Sequence, residues 1–175
     1  MTASLAGRRV LLTGATGGLG RAIARALLPG MTERGAGHLV FISSLTGKLP
    51  TPGTSVYSAT KYGLRGFAAS LRADLRGSGV GVTAVFPSFI AEVGLWAETG
   101  VELPRWVRLS SPGDLAEAVV EGIERDRGEI DVASVSQRLA GRLGGLAPGL
   151  VAALASRLGA EAISERAAAA QRAKR

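Results

Sequence analysis

Two short runs in this chain hold the residue types that could do chemistry. The first is Thr13-Gly14-Ala15-Thr16-Gly17-Gly18-Leu19-Gly20, and the second is Ser44 followed thirteen positions later by Tyr57-Ser58-Ala59-Thr60-Lys61. Closely set glycines between a strand and a helix permit a tight turn, let the main chain approach a pyrophosphate, and open a helix whose unpaired N–H groups attract anions. Tyr57 and Lys61 are four residues apart, so on a helix both side chains lie on one face and can reach one ligand. A phenol ordinarily ionises near about pH 10 and is a poor acid or base at neutrality, whereas a neighbouring ammonium favours the phenolate. Ser44 closes an apolar run, where ligands gather at the carboxyl ends of parallel strands, and can hydrogen-bond a carbonyl or alcohol oxygen. Each run also has a plainer reading. Among 25 glycines the first could be only a turn, but its strand-turn-helix setting favours phosphate binding. The second, taken alone, reads as a tyrosine packed on the core with Lys61 exposed.

Elements able to position these residues alternate along the chain. Arg8 to Thr13 is a short apolar strand, and Leu19 to Leu28 has helical spacing until Pro29-Gly30 stops it. Gly37 to Ser43 is continuously apolar, as in a buried parallel strand. Thr46 to Thr54, with two prolines and two glycines, is a loop. Ser55 to Arg76 carries Tyr57, Leu64, Phe67, Ala68, Leu71 and Leu75 on one broad face and closes at Gly77-Ser78-Gly79. Val80 to Phe86 is the next buried strand. A helix starts at Ser111-Pro112-Gly113-Asp114, with Asp114 a candidate cap, and runs to about Arg127, followed by a strand over Glu129 to Ala133. Beyond Ser136, Leu139, Leu143, Leu146, Leu150 and Leu154 recur at helical spacing, giving one or two amphipathic helices broken at Pro148-Gly149; docking on the domain or a partner chain is the plainer reading, and a membrane-surface helix the sharper one. The tail from Ala167 reads as a fraying helical end.

At 175 residues, 46% hydrophobic and 20% charged, the chain suits a single packed domain rather than a disordered one. It has no cysteine, which excludes disulfides and thiolate metal sites, and no metal is expected. Met1 to Gly7 lacks the flank and apolar run of a signal peptide, and the apolar stretch from Leu143 to Ala155 is broken by Gly144, Gly145, Pro148 and Gly149 and falls short of the ~20 residues a span needs. A cytoplasmic location is the expectation. The net charge of +7 is unevenly spread: residues 1–91 hold ten bases and two acids, 92–131 four and ten, and 132–175 seven and two. No block forms a basic tail or an aromatic-interleaved groove, so neither nucleic acid nor a membrane is expected as a partner.

With the glycine run and the Ser/Tyr/Lys set together, the chain resembles the short-chain dehydrogenase/reductase family. There Thr-Gly-x-x-x-Gly-x-Gly binds NAD(P), and a Ser with Tyr-x-x-x-Lys moves the proton during hydride exchange. The likeness covers Arg8 to Leu28 and Gly35 to Pro87. It implies that Tyr57 is the acid/base, that Ser44 polarises the substrate oxygen, and that Lys61 favours the tyrosinate while holding the nicotinamide ribose. Thr13, Gly14, Thr16, Gly18, Leu19, Gly20 and Pro87, with Tyr57 and Lys61, would contact NAD or NADP. The implied fold is α/β, a Rossmann-like doubly wound parallel sheet.

The chain departs from the family pattern in three ways. Ser43 follows Gly20 by only 23 positions, where the family has roughly a hundred more residues that complete the first nucleotide-binding half. No asparagine occurs anywhere, so the family's fourth catalytic residue has no counterpart. The Pro-Gly-x-x-x-Thr contact to nicotinamide stands here as Pro87-Ser88-Phe89-Ile90-Ala91-Glu92. A sheet contracted to about four strands follows, with Arg8–Thr13 at one edge, then Gly37–Ser43, Val80–Phe86 and Glu129–Ala133. Residues 1–135 would be the shortened NAD(P)-binding domain and 136–175 a C-terminal helical extension packed on it. Two functions stay open. One is an NAD(P)-dependent oxidoreductase interconverting an alcohol and a carbonyl, with Leu95, Trp96, Leu103 and Trp106 of 92–108 closing over an apolar substrate. The other is a catalytically impaired relative acting as a scaffold or as a homo-oligomer. His38 receives no role.

Overall fold

The structure, a computed structural model, describes residues 10–13, 19–49, 51–91 and 109–157. Four strands, β1 (Val10–Thr13), β2 (Gly37–Ile42), β3 (Val80–Pro87) and β4 (Glu129–Val132), form one parallel sheet in the order β1-β2-β3-β4. This is the contracted order expected from the sequence. β1 pairs directly with β2, Val10 in register with His38 and Thr13 with Phe41. β2 pairs with β3 from Gly37 against Val80 to Ile42 against Val85, and β3 pairs with β4 from Ala84 against Glu129 to Pro87 against Val132.

Helices cover both faces, which is why the central strands are continuously apolar. On one face Leu39, Phe41, Val82, Ala84 and Phe86 pack with Met31 and Leu28 of α1 (Leu19–Glu33) and with Leu64, Ala68, Phe67 and Leu71 of α2 (Ser55–Asp74). Phe67 meets Phe41 edge to face, with ring centroids 5.5 Å apart. On the other face Val40 and Val85 pack with Ala118 and Ile123 of α3 (Pro112–Glu124) and with Val132. Fully burying a side chain such as Phe86 or Leu39 contributes about 1.5–3 kcal/mol, so these two layers supply most of the fold's stability.

Several element boundaries differ from expectation for physical reasons. α1 does not stop at Leu28 but runs through Pro29 to Glu33. Pro29 removes one main-chain donor, yet Met31 in the following turn is buried against the start of β2, where Gly37 leaves room for its thioether. Thr32 Oγ1 donates to Leu28 O and Pro29 O, and Arg34 Nη1 to Gly30 O, which secures the last turn. The loop after β2 contains a 3-10 turn, Leu45–Gly47. At α3 the cap is Ser111, not Asp114: Ser111 Oγ accepts from Asp114 N while Asp114 Oδ2 accepts from Ser111 N. α4 (Val135–Leu146) opens with the same reciprocal arrangement between Ser134 and Gln137. The break before α5 (Pro148–Arg157) falls at Ala147, because proline suits the first position of a helix.

The largest correction concerns the leucine series. α4 turns Gly141 and Gly144 inward, against Leu45, Lys48 and Leu49, and Leu139, Leu143, Leu146, Leu150 and Leu154 are exposed. A glycine face lets the helix approach the 45–49 main chain closely; a leucine face would have held it off.

Candidate active site

Ser44 follows β2 directly and caps the 3-10 turn, its Oγ accepting from Thr46 N at 3.3 Å. Tyr57 is the third residue of α2 and is 37% exposed, not packed into the core face as its helical spacing suggested. Lys61, one turn later, is 7% exposed, contrary to the plainer reading that left it in solvent. Its Nζ donates to Ile42 O at 3.2 Å and lies 5.5 Å from the centroid of the Tyr57 ring. Burial lowers the Lys61 pKa from its ordinary value, since the charged form loses hydration.

Two further contacts lock this turn of α2 to the strand end. Ser43 Oγ donates to Lys61 O at 3.1 Å, and a Cβ at Gly47 would stand 2.8 Å from the same carbonyl oxygen. The loop that begins at Ser44 therefore lies flat on the α2 main chain at Lys61, with glycine the only residue that fits at position 47. Hydroxyl, phenol and ammonium thus come from β2 and α2 as one tied unit. Thr46 Oγ1, in the middle of the 3-10 turn, is buried with no hydrogen-bond partner.

A second set of charged residues, which motif reading passed over, fastens this unit from behind. Lys48 is buried, with its Nζ 2.5 Å from Asp131 Oδ1, 2.9 Å from Glu129 Oε2 and 3.9 Å from the centroid of the Phe86 ring. Arg65, one turn beyond Lys61, donates to the same Glu129 at 2.7 and 3.3 Å. Burial pushes the Glu129 carboxyl up, but the hydrogen bonds from Arg65 and Lys48 and their charges outweigh it and hold it below its ordinary value. Glu129 of β4 is thereby a common anchor for the Ser44 loop and for α2. The partners lie 64 and 81 positions away in sequence, so no local spacing could signal them.

The strand register brings the cofactor-side candidates to the same sheet edge. Thr13 ends β1 in register with Phe41, three residues before Ser44, and Pro87 ends β3. Leu19 and Gly20 open α1, which shares its sheet face with α2. Gly14, Thr16 and Gly18 lie outside the described residues, as do Leu95, Trp96, Leu103 and Trp106. The hydroxyl, phenol and ammonium donors fit the nicotinamide and ribose side of NAD(P). Beyond β1, however, the described residues provide no further strand to seat an adenosine. A surface hollow lies at the opposite ends of the strands, lined by His38, Arg72, Arg76 and Asp126. There Arg72 pairs with Asp126 at 2.7 Å, and His38 Nε2 meets Thr83 Oγ1 at 2.8 Å. That hollow is remote from Ser44 and Tyr57 and takes no part in their chemistry.

Residues 24–100 match the short chain dehydrogenase family profile, a stretch that holds Ser44, Tyr57, Lys61 and Pro87. A ketoacyl reductase, HetN of Nostoc sp., is 39% identical over 110 residues, covering 63% of this chain and 38% of that protein. An uncharacterized oxidoreductase of Myxococcus xanthus is 40% identical over 123 residues, covering 70% and 46%. Among solved structures, a short-chain dehydrogenase from Sphingobium yanoikuyae in complex with NADPH superposes with a TM-score of 0.58 at 27% identity, over 76% of this chain and 52% of that one. The chain spans less than half the length of these curated relatives.

Proposed function

We propose that this chain, which belongs to the short-chain dehydrogenase/reductase family, interconverts an alcohol and a carbonyl with NAD or NADP. The observation that carries this reading is the buried Lys61, held on Ile42 O beside the Tyr57 ring and tied to the Ser44 loop. A lysine that was merely a helix surface residue would not give up hydration for one carbonyl bond.

In this reading Tyr57 exchanges a proton with the substrate oxygen. Lys61 places its charge beside the phenol, 5.5 Å from the ring centroid, and orients it towards the substrate oxygen. Ser44 Oγ, already bound to Thr46 N, donates its own hydrogen to the substrate oxygen and orients it. Thr13, Gly14, Thr16, Gly18, Leu19, Gly20 and Pro87, with Tyr57 and Lys61, would hold the dinucleotide, which when bound supplies or accepts the hydride. Residues 1–135 make up the cofactor-binding part and 136–175 an extension of it. An apolar ketone or secondary alcohol suits the apolar residues of 92–108. One similar solved structure holds NADPH and another NAD, so both dinucleotides enter the test.

The test is a fluorescence titration with NADH and with NADPH, followed by oxidation of the bound form in the presence of apolar ketones. Binding and turnover are expected, with Tyr57→Phe lowering kcat roughly 10²–10⁴-fold while leaving binding intact. Turnover unchanged in Tyr57→Phe would remove the assignment. Absence of binding by both dinucleotides would leave the impaired, non-enzymatic relative as the correct reading.

A further inference from the structure

We propose that the outer face of α4 and α5 binds an anionic lipid surface. The two helices are built inside out. α4 meets the rest of the fold through Gly141 and Gly144, while Val135, Leu139, Leu143 and Leu146 are between 44% and 83% exposed. Those four residues follow one another at four, four and three positions, which places them on one stripe of the helix. Leu150 and Leu154 of α5 continue the spacing and are also exposed. A run of exposed leucines this long is unlike the isolated apolar residues of an ordinary surface and marks a face that something covers.

The charges on the same helices say what that partner is. Between Ser134 and Arg157 the sequence has three arginines, Arg138, Arg142 and Arg157, and no acid. Arg138 and Arg142 are exposed and directly precede Leu139 and Leu143, so each flanks the apolar stripe. An apolar stripe bordered by cations alone has the makeup of a helix that lies in the plane of a bilayer, its leucines among the acyl chains and its cations at anionic headgroups. A second copy of this chain fits less well. Two-fold packing of this face on itself sets arginine against arginine with no carboxylate on either helix to offset them. No helix among the described residues is long and apolar enough to cross a membrane, so the contact is peripheral. Sequence spacing leaves these leucines to the domain, to a partner chain or, less favoured, to a membrane surface; the inward glycines remove the first of these.

Co-sedimentation of the full chain with vesicles tests this, comparing phosphatidylcholine alone with phosphatidylcholine containing phosphatidylglycerol. The expected result is partition at least tenfold stronger on the anionic vesicles, weakened by high salt. Leu143→Glu and Leu146→Glu each lower it at least tenfold, and Arg142→Gln lowers it several-fold. All three positions are exposed, so circular dichroism and the melting temperature should stay as in the parent. Equal partition on both vesicle types, or binding that survives the leucine substitutions, overturns the proposal. So does a dimer in sedimentation velocity that Leu143→Glu dissociates without any vesicle binding in the parent, which would assign the face to a second copy.

Discussion

At the scale of single residues, the site depends on charges kept out of water, and Lys61 and Glu129 leave a trace in the pH dependence of stability. The folded state lowers the Lys61 pKa through burial, whereas in the unfolded chain a lysine keeps its ordinary value of about 10.4. The unfolded state thus binds that proton more tightly, and stability rises with pH from the depressed folded value up to about 10.4. Urea midpoints at a series of alkaline pH values should show this rise and should lose it in Lys61→Met; an identical slope in both would mean that the ammonium is hydrated. Glu129 has the opposite sign. Its carboxyl sits below the ordinary value of 4.5, so its contribution is present above that pH and is lost as pH falls through the depressed folded value. Lys48→Met should cost about 3–5 kcal/mol in chemical denaturation, because the buried Asp131 loses its cation while Glu129 keeps only Arg65. Tyr57 and Lys61 were legible in sequence because a helix makes four-residue neighbours of them. Lys48, Arg65, Glu129 and Asp131 were not, because their proximity is created by β3–β4 pairing and not by spacing.

At the scale of elements, close approach between main chains decides what each helix can carry. Gly144 and Gly145 make the sharpest comparison. A Cβ at 144 would stand 2.6 Å from Lys48 O and 2.9 Å from Leu49 Cδ2, whereas nothing lies within 4 Å of one at 145. Gly144→Ala should therefore destabilise by about 1–3 kcal/mol by prising α4 from the 45–49 turn. Gly145→Ala should stabilise by roughly 0.5–1 kcal/mol through helix propensity alone. Thermal denaturation of the two variants checks both signs at adjacent positions, and a loss at both would mean that α4 is not seated as described. Ser111→Ala should cost about 1 kcal/mol through the lost cap of α3. The strands and α2 were readable because their apolar runs match their burial. α1 and α4 were misread where tertiary contact overrode a local signal: Met31 carries α1 past Pro29, and the inward glycines turn the leucines of α4 outward.

At the scale of the whole molecule, the sheet ends at β1 among the described residues, with β2 as its one neighbour. Amide exchange should be slowest in β2 and β3, whose residues Val40, Phe41, Val85 and Phe86 are at most 1% exposed, and faster over Val10–Thr13. Equal protection across all four strands would point to further pairing at that edge. The direct pairing of β1 with β2 was legible, because the 23 residues between them, holding one helix, suffice to join neighbouring parallel strands. Dinucleotide affinity belongs to this scale too: with no strand beyond β1 among the described residues to seat an adenosine, the proposed site predicts weak binding, improved little by exchanging NADH for NADPH. Strand order and chain order coincide over the four described strands, and that has a consequence for biogenesis. In a sheet that starts at its middle, some strands must wait for partners made later on the other flank. Here every strand from β2 onward docks beside one already synthesised, so the sheet can lengthen in the direction of translation without retracing its own path.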